Sequence, residues 1–398
     1  MRIFLWELKK ALSTSVIWGF LAVCLLFNVI LVISNTYNRN YIQYISGAVA
    51  QYGQKVDDEF IEKLKDAPAS DERDRLLMSL GVSPDDEALF SNGSSQPEEP
   101  AQNPLQGIDT ADYAEAYVKK LGLTGFWADL MEAKYDALQP VVDRLAAEEA
   151  DKDLYAGEVT NDLHRQLFDI LLHAVLTEGM LAAFLCMLLV LGAENLHGTD
   201  SLVFSTKRGR GIVRPKIGVG FLCGIGSYIL LAGGTLLVYF LVFDFSGIWN
   251  ASVSSQFHTL ADDVMARPFF TWGGFTVLEY LWMQLALGAL LVAVFCMLGA
   301  FAGLLFRNTY AAFVAVLAAG FLLLLLPGWF HSLNWEGGAF AAGLSPFWIW
   351  NVQSGWFTDL GGNALWPWWE ITGVIISLVL LCGFLFAAGH WHRRKDLV

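Results

Sequence analysis

Glu194 to Lys216 reads ENLHGTDSLVFSTKRGRGIVRPK, a polar stretch with Lys207, Arg208, Arg210, Arg214 and Lys216, set between the apolar runs Met180 to Ala193 and Ile217 to Phe243. Basic loops beside membrane helices stay on the cytoplasmic face, so this stretch sets the expected orientation of the segments on either side. The whole chain has 55% hydrophobic and only 16% charged residues, and the apolar residues come in runs. That composition belongs to a polytopic membrane protein rather than a soluble domain.

Upstream, residues 1–35 hold an amphipathic start, MRIFLWELKKAL, and a first span from Val16 to Ser34. The run is long enough to cross a bilayer and lacks a small-x-small cleavage site, which favours an anchor over a cleaved signal. Residues 36–169 form an insert between the first two spans, expected outside. Tyr37 to Asp169 holds 12 Lys or Arg against 27 Asp or Glu, so the insert accounts for the net charge of −14 and repels nucleic acid and anionic surfaces.

The insert reads as mainly helical. Short charged helices are expected at Asp57 to Lys65, Asp71 to Leu80 and Asp109 to Leu121. A longer one is expected at Phe126 to Glu149, with Phe126, Leu130, Ala133, Ala137, Val141 and Leu145 on one stripe. Ser91 to Gly107 has the composition of a linker. Leu163, Leu167, Ile170 and Leu171 carry an apolar pattern straight into the second span.

Residues 170–398 then supply the remaining spans: Leu171 to Ala193, Ile217 to Phe243, Tyr280 to Phe306, Thr309 to Leu326 and Ile371 to Ala388. Pro327-Gly328 is expected to stop the fifth. The tract 327–369 holds eight of the chain's 15 tryptophans, among them Trp329, Trp348, Trp356 and Trp369. Tryptophan favours the headgroup level, so short re-entrant helices are expected there. Of the 13 basic residues outside the insert, 11 fall on expected inner segments, which places both termini in the cytoplasm. The expected fold is an all-α polytopic protein with six transmembrane helices.

No enzyme signature is present. The sequence has no G-x-x-x-x-G-K-[ST] and no Gly-Lys pair, which excludes a P-loop. The five cysteines all lie in apolar segments, and no Cys/His spacing suits a metal. Ionisable and polar residues in the spans nominate Glu178, Glu279 and Gln284 as pathway candidates, with His173 beside the first. Gly220-x-x-x-Gly224 and Gly299-x-x-x-Gly303 are small-residue stripes that let helices approach, within a subunit or across a dimer.

The central stretch carries more than topology. Glu194, then Gly198-Thr199, the apolar Leu202, Val203 and Phe204, the basic Lys207, Arg208 and Arg210, and Lys216 entering the next span resemble the cytoplasmic turn between the second and third spans of ABC-2 type permeases. The amphipathic start, the external insert and the tryptophan-rich tract before the last span are similar to the layout of that family. The resemblance implies a permease subunit of an ATP-driven exporter, with the turn 194–216 docking into a separate cytoplasmic ABC ATPase. ATP and Mg would then be held by that partner and not by this chain. It also implies a dimer with a second copy or a related permease, in the plasma membrane and in contact with its lipids. A cysteine-free insert on the outside fits a bacterium. An amphipathic, peptide or lipid-like cargo suits the aromatic outer tract. The competing reading is a membrane sensor or scaffold that does not transport and binds a ligand through its insert.

Overall fold

A computed structural model describes residues 2–83, 105–196, 198–199, 209–306 and 308–394. Among the described residues, six helices are long and apolar enough to cross a membrane: Ser15–Ile33, Gly157–Asn195, Val213–Val242, Val277–Leu305, Thr309–Ser332 and Trp369–Ala388. They are spans 1 to 6 below, and the chain is a multi-pass helical membrane protein. Spans 2 and 4 have 61% of their most apolar window buried, against 11–33% for the other four. Those two therefore form the centre of the bundle, and the others lie around them.

The glycine stripes explain how tightly that centre closes. A β-carbon at Gly220 would lie 2.4 Å from the Met187 sulfur, and one at Gly224 would lie 3.0 Å from the Ala183 Cα. On span 4, a β-carbon at Gly299 would lie 2.9 Å from Met187 Cβ, and one at Gly303 would lie 3.0 Å from Leu191 Cδ1. All four glycines thus face span 2, two from each side, and they serve packing within the chain.

Span 2 is longer than expected because it begins in the insert. The helical run starts at Gly157 and contains a π-helical stretch, Arg165–Leu172. The expected heptad pattern fits here, with Leu163, Leu167 and Leu171 buried, although Ile170 is exposed.

Span 5 departs from expectation: Thr309–Ser332 continues through Pro327 instead of stopping there. Pro327 is itself buried, and in a membrane helix the groups freed by proline can be satisfied by neighbouring segments. The tryptophan-rich tract then folds back along this span in two short helices, Glu336–Gly343 and Pro346–Asn351. A β-carbon at Gly320 would lie 2.2 Å from the Phe347 ring. Gly320 is twelve residues before the end of the span, so the tract descends by about 18 Å along it at ~1.5 Å per residue. Two of its tryptophans, Trp356 and Trp369, are fully buried rather than placed at a surface.

Within the insert, Asp58–Lys65, Asp71–Ser79 and Thr110–Leu121 form as expected, each with a side chain at its N-cap: Asp57, Ser70 and Asp109. A further helix, Arg39–Tyr52, follows span 1. The single helix expected from Phe126 to Glu149 is instead two, Phe126–Asp136 and Gln139–Ala147. Pro140 is the cause: it fits a first turn but not a helix interior. The buried face runs through Met131, Tyr135, Leu138, Val142 and Leu145 on both sides of the break, off the expected stripe until Leu145, and Phe126 is 65% exposed. An antiparallel pair, Thr259–Ala261 with Ala266–Pro268, also qualifies the all-α expectation.

The insert is not a closed unit. Its first part shares a core with the spans and with Phe245, Ile248 and Val253 of the loop after span 3. Its second part, including Tyr117, Met131 and Tyr135, shares another with Phe270, Phe340, Leu360 and Trp369. Backbone bridges join Thr271 to Thr358, and the Ser252 N–H donates to the Asp153 carboxylate at 2.9 Å. The insert and the later loops together make one cap over one end of the bundle.

Candidate functional site

At the other end of the bundle, span 2 finishes in a Schellman motif. The Thr199 N–H donates to the Glu194 carbonyl at 2.9 Å, and the Gly198 N–H donates to the Asn195 carbonyl at 3.1 Å. Gly198 has φ +63°, a left-handed conformation that glycine adopts without strain. Gly198 and Thr199 therefore have a local task, which is to end the central helix and turn the chain at a fixed angle.

The Glu194 side chain ties this end to two other elements. One carboxylate oxygen accepts from Lys10 of the N-terminal helix Arg2–Leu12 at 3.3 Å, and the other accepts from Lys216 in the first turn of span 3. Lys216 also donates to the Val190 carbonyl at 2.9 Å. Glu194 and Lys216 are both buried, so either one without the other would leave an unpaired charge away from water. Beside this triad lies a cavity of about 330 Å³, lined by Glu7, Lys10 and Thr14 on one side and by Leu189, Val190 and Ala193 on the other. The turn thus begins from a junction of three helices held by charge.

Of the sequence-predicted turn, Glu194, Gly198, Thr199 and Lys216 have described surroundings. Leu202, Phe204, Lys207 and Arg208 lie outside the described residues, as does the Arg210 side chain, although its backbone belongs to the 3-10 turn Gly209–Ile212. Lys10 was not a candidate. Its place in a basic amphipathic helix points to the same membrane face as Glu194, but nothing in the sequence selects Glu194 as its partner.

The expected pathway residues separate into three settings. Glu178 accepts from Asn28 of span 1 at 2.8 Å, and Asn28 also donates to Thr235 of span 3 at 3.0 Å. This is a buried polar node across spans 1, 2 and 3, and the Asn28 carbonyl oxygen has no partner in it. Gln284 is buried too, donating to the Tyr280 hydroxyl at 2.9 Å and accepting from Gln353 of the tract at 3.0 Å. Glu279, by contrast, is exposed and closes a capping box with Thr276 at the start of span 4, so it is not a buried charge. His173 stacks on Trp350 at 5.0 Å between ring centroids.

The cap contains a buried ionic cluster that the sequence reading missed. Arg267 of the hairpin lies between Asp262 at 2.9 Å and Asp359 at 2.8 Å. The Tyr135 hydroxyl donates to Asp359 at 2.6 Å, and the Tyr117 hydroxyl donates to Asp262. Lys134 is 1% exposed. Its ammonium donates to the carbonyls of Asp359, Gly361 and Ala364 at 3.2, 2.7 and 3.1 Å. Burial pulls that ammonium down to about 7, against the pull of the Asp359 carboxylate. Burial works hardest against the Arg267 charge, but Asp359, Tyr117 and Tyr135 together outweigh it and raise the guanidinium above its ordinary value. The cluster fastens the insert to the tryptophan-rich tract, with no substrate-facing nucleophile among its members.

No group of three or more His, Cys, Asp or Glu that could hold a metal occurs among the described residues. No protein-family model, no curated protein and no solved structure matches this chain.

Proposed function

We propose that this chain is the membrane subunit of an ABC exporter, working with a separate cytoplasmic ATPase and paired with a second copy or a related permease. The observation that carries the reading is the junction of Glu194 with Lys10 and Lys216. It bonds the start of the basic turn to the central helix, the N-terminal helix and span 3 at once. A push delivered at Glu194 or Lys216 therefore reaches three elements of the bundle at once. Transport is then a shift between two packings of the helices, biased by nucleotide in the partner. The chain crosses the plasma membrane of a bacterium, with the turn and both termini cytoplasmic and the cap external. The tryptophan-rich tract is re-entrant, and its aromatic lining suits an amphipathic, peptide or lipid-like cargo leaving through the outer leaflet.

The test is copurification with the ATPase encoded beside the gene. The expected result is a stable complex whose ATPase activity falls by tenfold or more when Arg208 and Arg210 are reversed in charge together with Phe204→Ala. Absence of a complex, or a complex and activity indifferent to those changes, overturns the reading.

A further inference from the structure

Where the insert, the hairpin loop and the tryptophan-rich tract meet, they leave a cavity of about 270 Å³ that opens to the surface. Its floor is apolar. Pro327, Ala339, Phe340 and Gly343 are buried there, and Trp348 is half-buried. Its rim is charged: Lys120 stands at the end of the helix Thr110–Leu121, and Asp263 stands in the turn of the hairpin. Both are exposed, and neither has an ion-pair partner among the described residues. Elsewhere on the rim, Asp262 pairs with Arg267 at 2.9 Å and the His331 ring lies 2.7 Å from the Glu336 carboxylate.

The cavity lies where two solvents meet. Pro327 and Gly328 belong to the last turns of span 5, whose Phe321, Leu322 and Leu325 are more than half exposed, as a lipid-facing surface would be. Lys120 and Asp263 belong to segments outside the spans. A molecule that fills the cavity is therefore apolar at one end and hydrated at the other. Two free charges of opposite sign on one rim select a head that carries both signs. A wholly anionic head would meet Asp263 unfavourably, and a wholly cationic head would meet Lys120 unfavourably.

We propose that this cavity binds a zwitterionic phospholipid from the bilayer leaflet on the side of the cap. The phosphate lies toward Lys120, the ammonium toward Asp263, and the upper acyl carbons against Pro327 and Trp348. The chains continue along the exposed face of span 5. The site depends on the placement of the chain in a bilayer and not on the export reading.

The experiment uses the full chain in lipid nanodiscs without any ATPase, so its outcome is independent of the copurification test. A phosphatidylethanolamine with a diazirine in the upper part of one acyl chain is photolysed, and the labelled peptides are mapped. Labelling is expected to concentrate on the segment from Pro327 to Trp348. It should fall at least fivefold in Lys120→Glu and in Asp263→Lys, and recover largely in the charge-exchanged pair Lys120→Asp with Asp263→Lys. Both positions are exposed, so an unchanged Tm certifies the fold of each variant. Ala339→Trp, which fills the floor, should abolish labelling as well. Equal labelling by a diacylglycerol carrying the same diazirine chain, or indifference to both charge changes, reduces the signal to non-specific lipid contact and overturns the site. Loss with Lys120→Glu but not with Asp263→Lys also overturns it, because the head selected is then simply an anion.

Discussion

Lys134 shows what a single residue can conceal. In the sequence it is one of several charges on an amphipathic helix, and the expected apolar stripe passes through its neighbour Ala133. In the structure its ammonium holds the carbonyls of Asp359, Gly361 and Ala364, more than 220 positions away in the chain. Replacing it by Met keeps the bulk of the stem but strands those acceptors, and Lys134→Met should lower stability by about 2–4 kcal/mol, measured by denaturant titration in detergent. Glu194 makes the matching case at the opposite end of the bundle. Glu194→Gln leaves Lys216 buried without a counter-charge and should cost about 3–5 kcal/mol, whereas Lys10→Gln should cost less than about 1, because Lys10 is partly exposed. Equal losses in the two variants would contradict the assigned geometry. His258 supplies a pH dependence. Its ring stacks on Phe269 at 4.0 Å and touches His164 at 4.2 Å, with Tyr155 edge-on, and burial pulls it down to about 4 despite its bond to the Val253 carbonyl. The fold thus favours the neutral ring. Its stabilising effect is complete above the unfolded value near 6.5 and is lost as pH falls toward 4. The loss is about 3 kcal/mol at ~1.4 kcal/mol per pH unit. Tm should drop over that window, and His258→Phe should flatten the slope.

At the scale of elements, two prolines behaved oppositely for a reason that composition does not contain. Pro140, in the hydrated insert, splits the helix expected from Phe126 to Glu149, whereas Pro327, itself buried in an otherwise exposed apolar span, leaves Thr309–Ser332 continuous. The spans were legible because an uninterrupted apolar run has few alternatives in water. Capped helices such as Asp58–Lys65 were legible because their caps are local. The phase of a helix face is different, since it depends on which later segment covers it. The glycine stripes lie between these cases: the spacing announced close packing, but not that both stripes face span 2. Gly299→Leu would drive its side chain into Met187 and should cost on the order of 2 kcal/mol or more, whereas Gly226→Leu, at a position with open space, should be close to neutral. Comparing the two Tm values checks the assignment.

For the whole molecule, charge composition located the insert but could not reveal that it is built into two cores with loops that follow spans 3 and 5. Tyr117, Met131 and Tyr135 need Phe340, Leu360 and Trp369 to be buried. A fragment of residues 36–169 expressed alone should therefore lack a cooperative unfolding transition and bind hydrophobic dyes. A sharp two-state transition in that fragment would show the insert to be autonomous, as a ligand-sensing domain would need to be. The same integration gives the second span a mechanical character. The run Gly157–Asn195 has 39 residues and is about 58 Å long at ~1.5 Å per residue, nearly twice a hydrocarbon core of ~30 Å. One end sits among the aromatic rings of the cap, and the other carries Glu194 and its lysines. Clamped by glycines on both flanks at Ala183, Met187 and Leu191, far nearer its basic end than its cap end, it has the shape of a lever with an off-centre fulcrum. A tilt of about 10° about Met187 moves the basic tip by roughly 2 Å and the far tip by roughly 8 Å in the opposite direction, at ~1.5 Å per residue, so a small movement at the basic end is amplified beneath the cap.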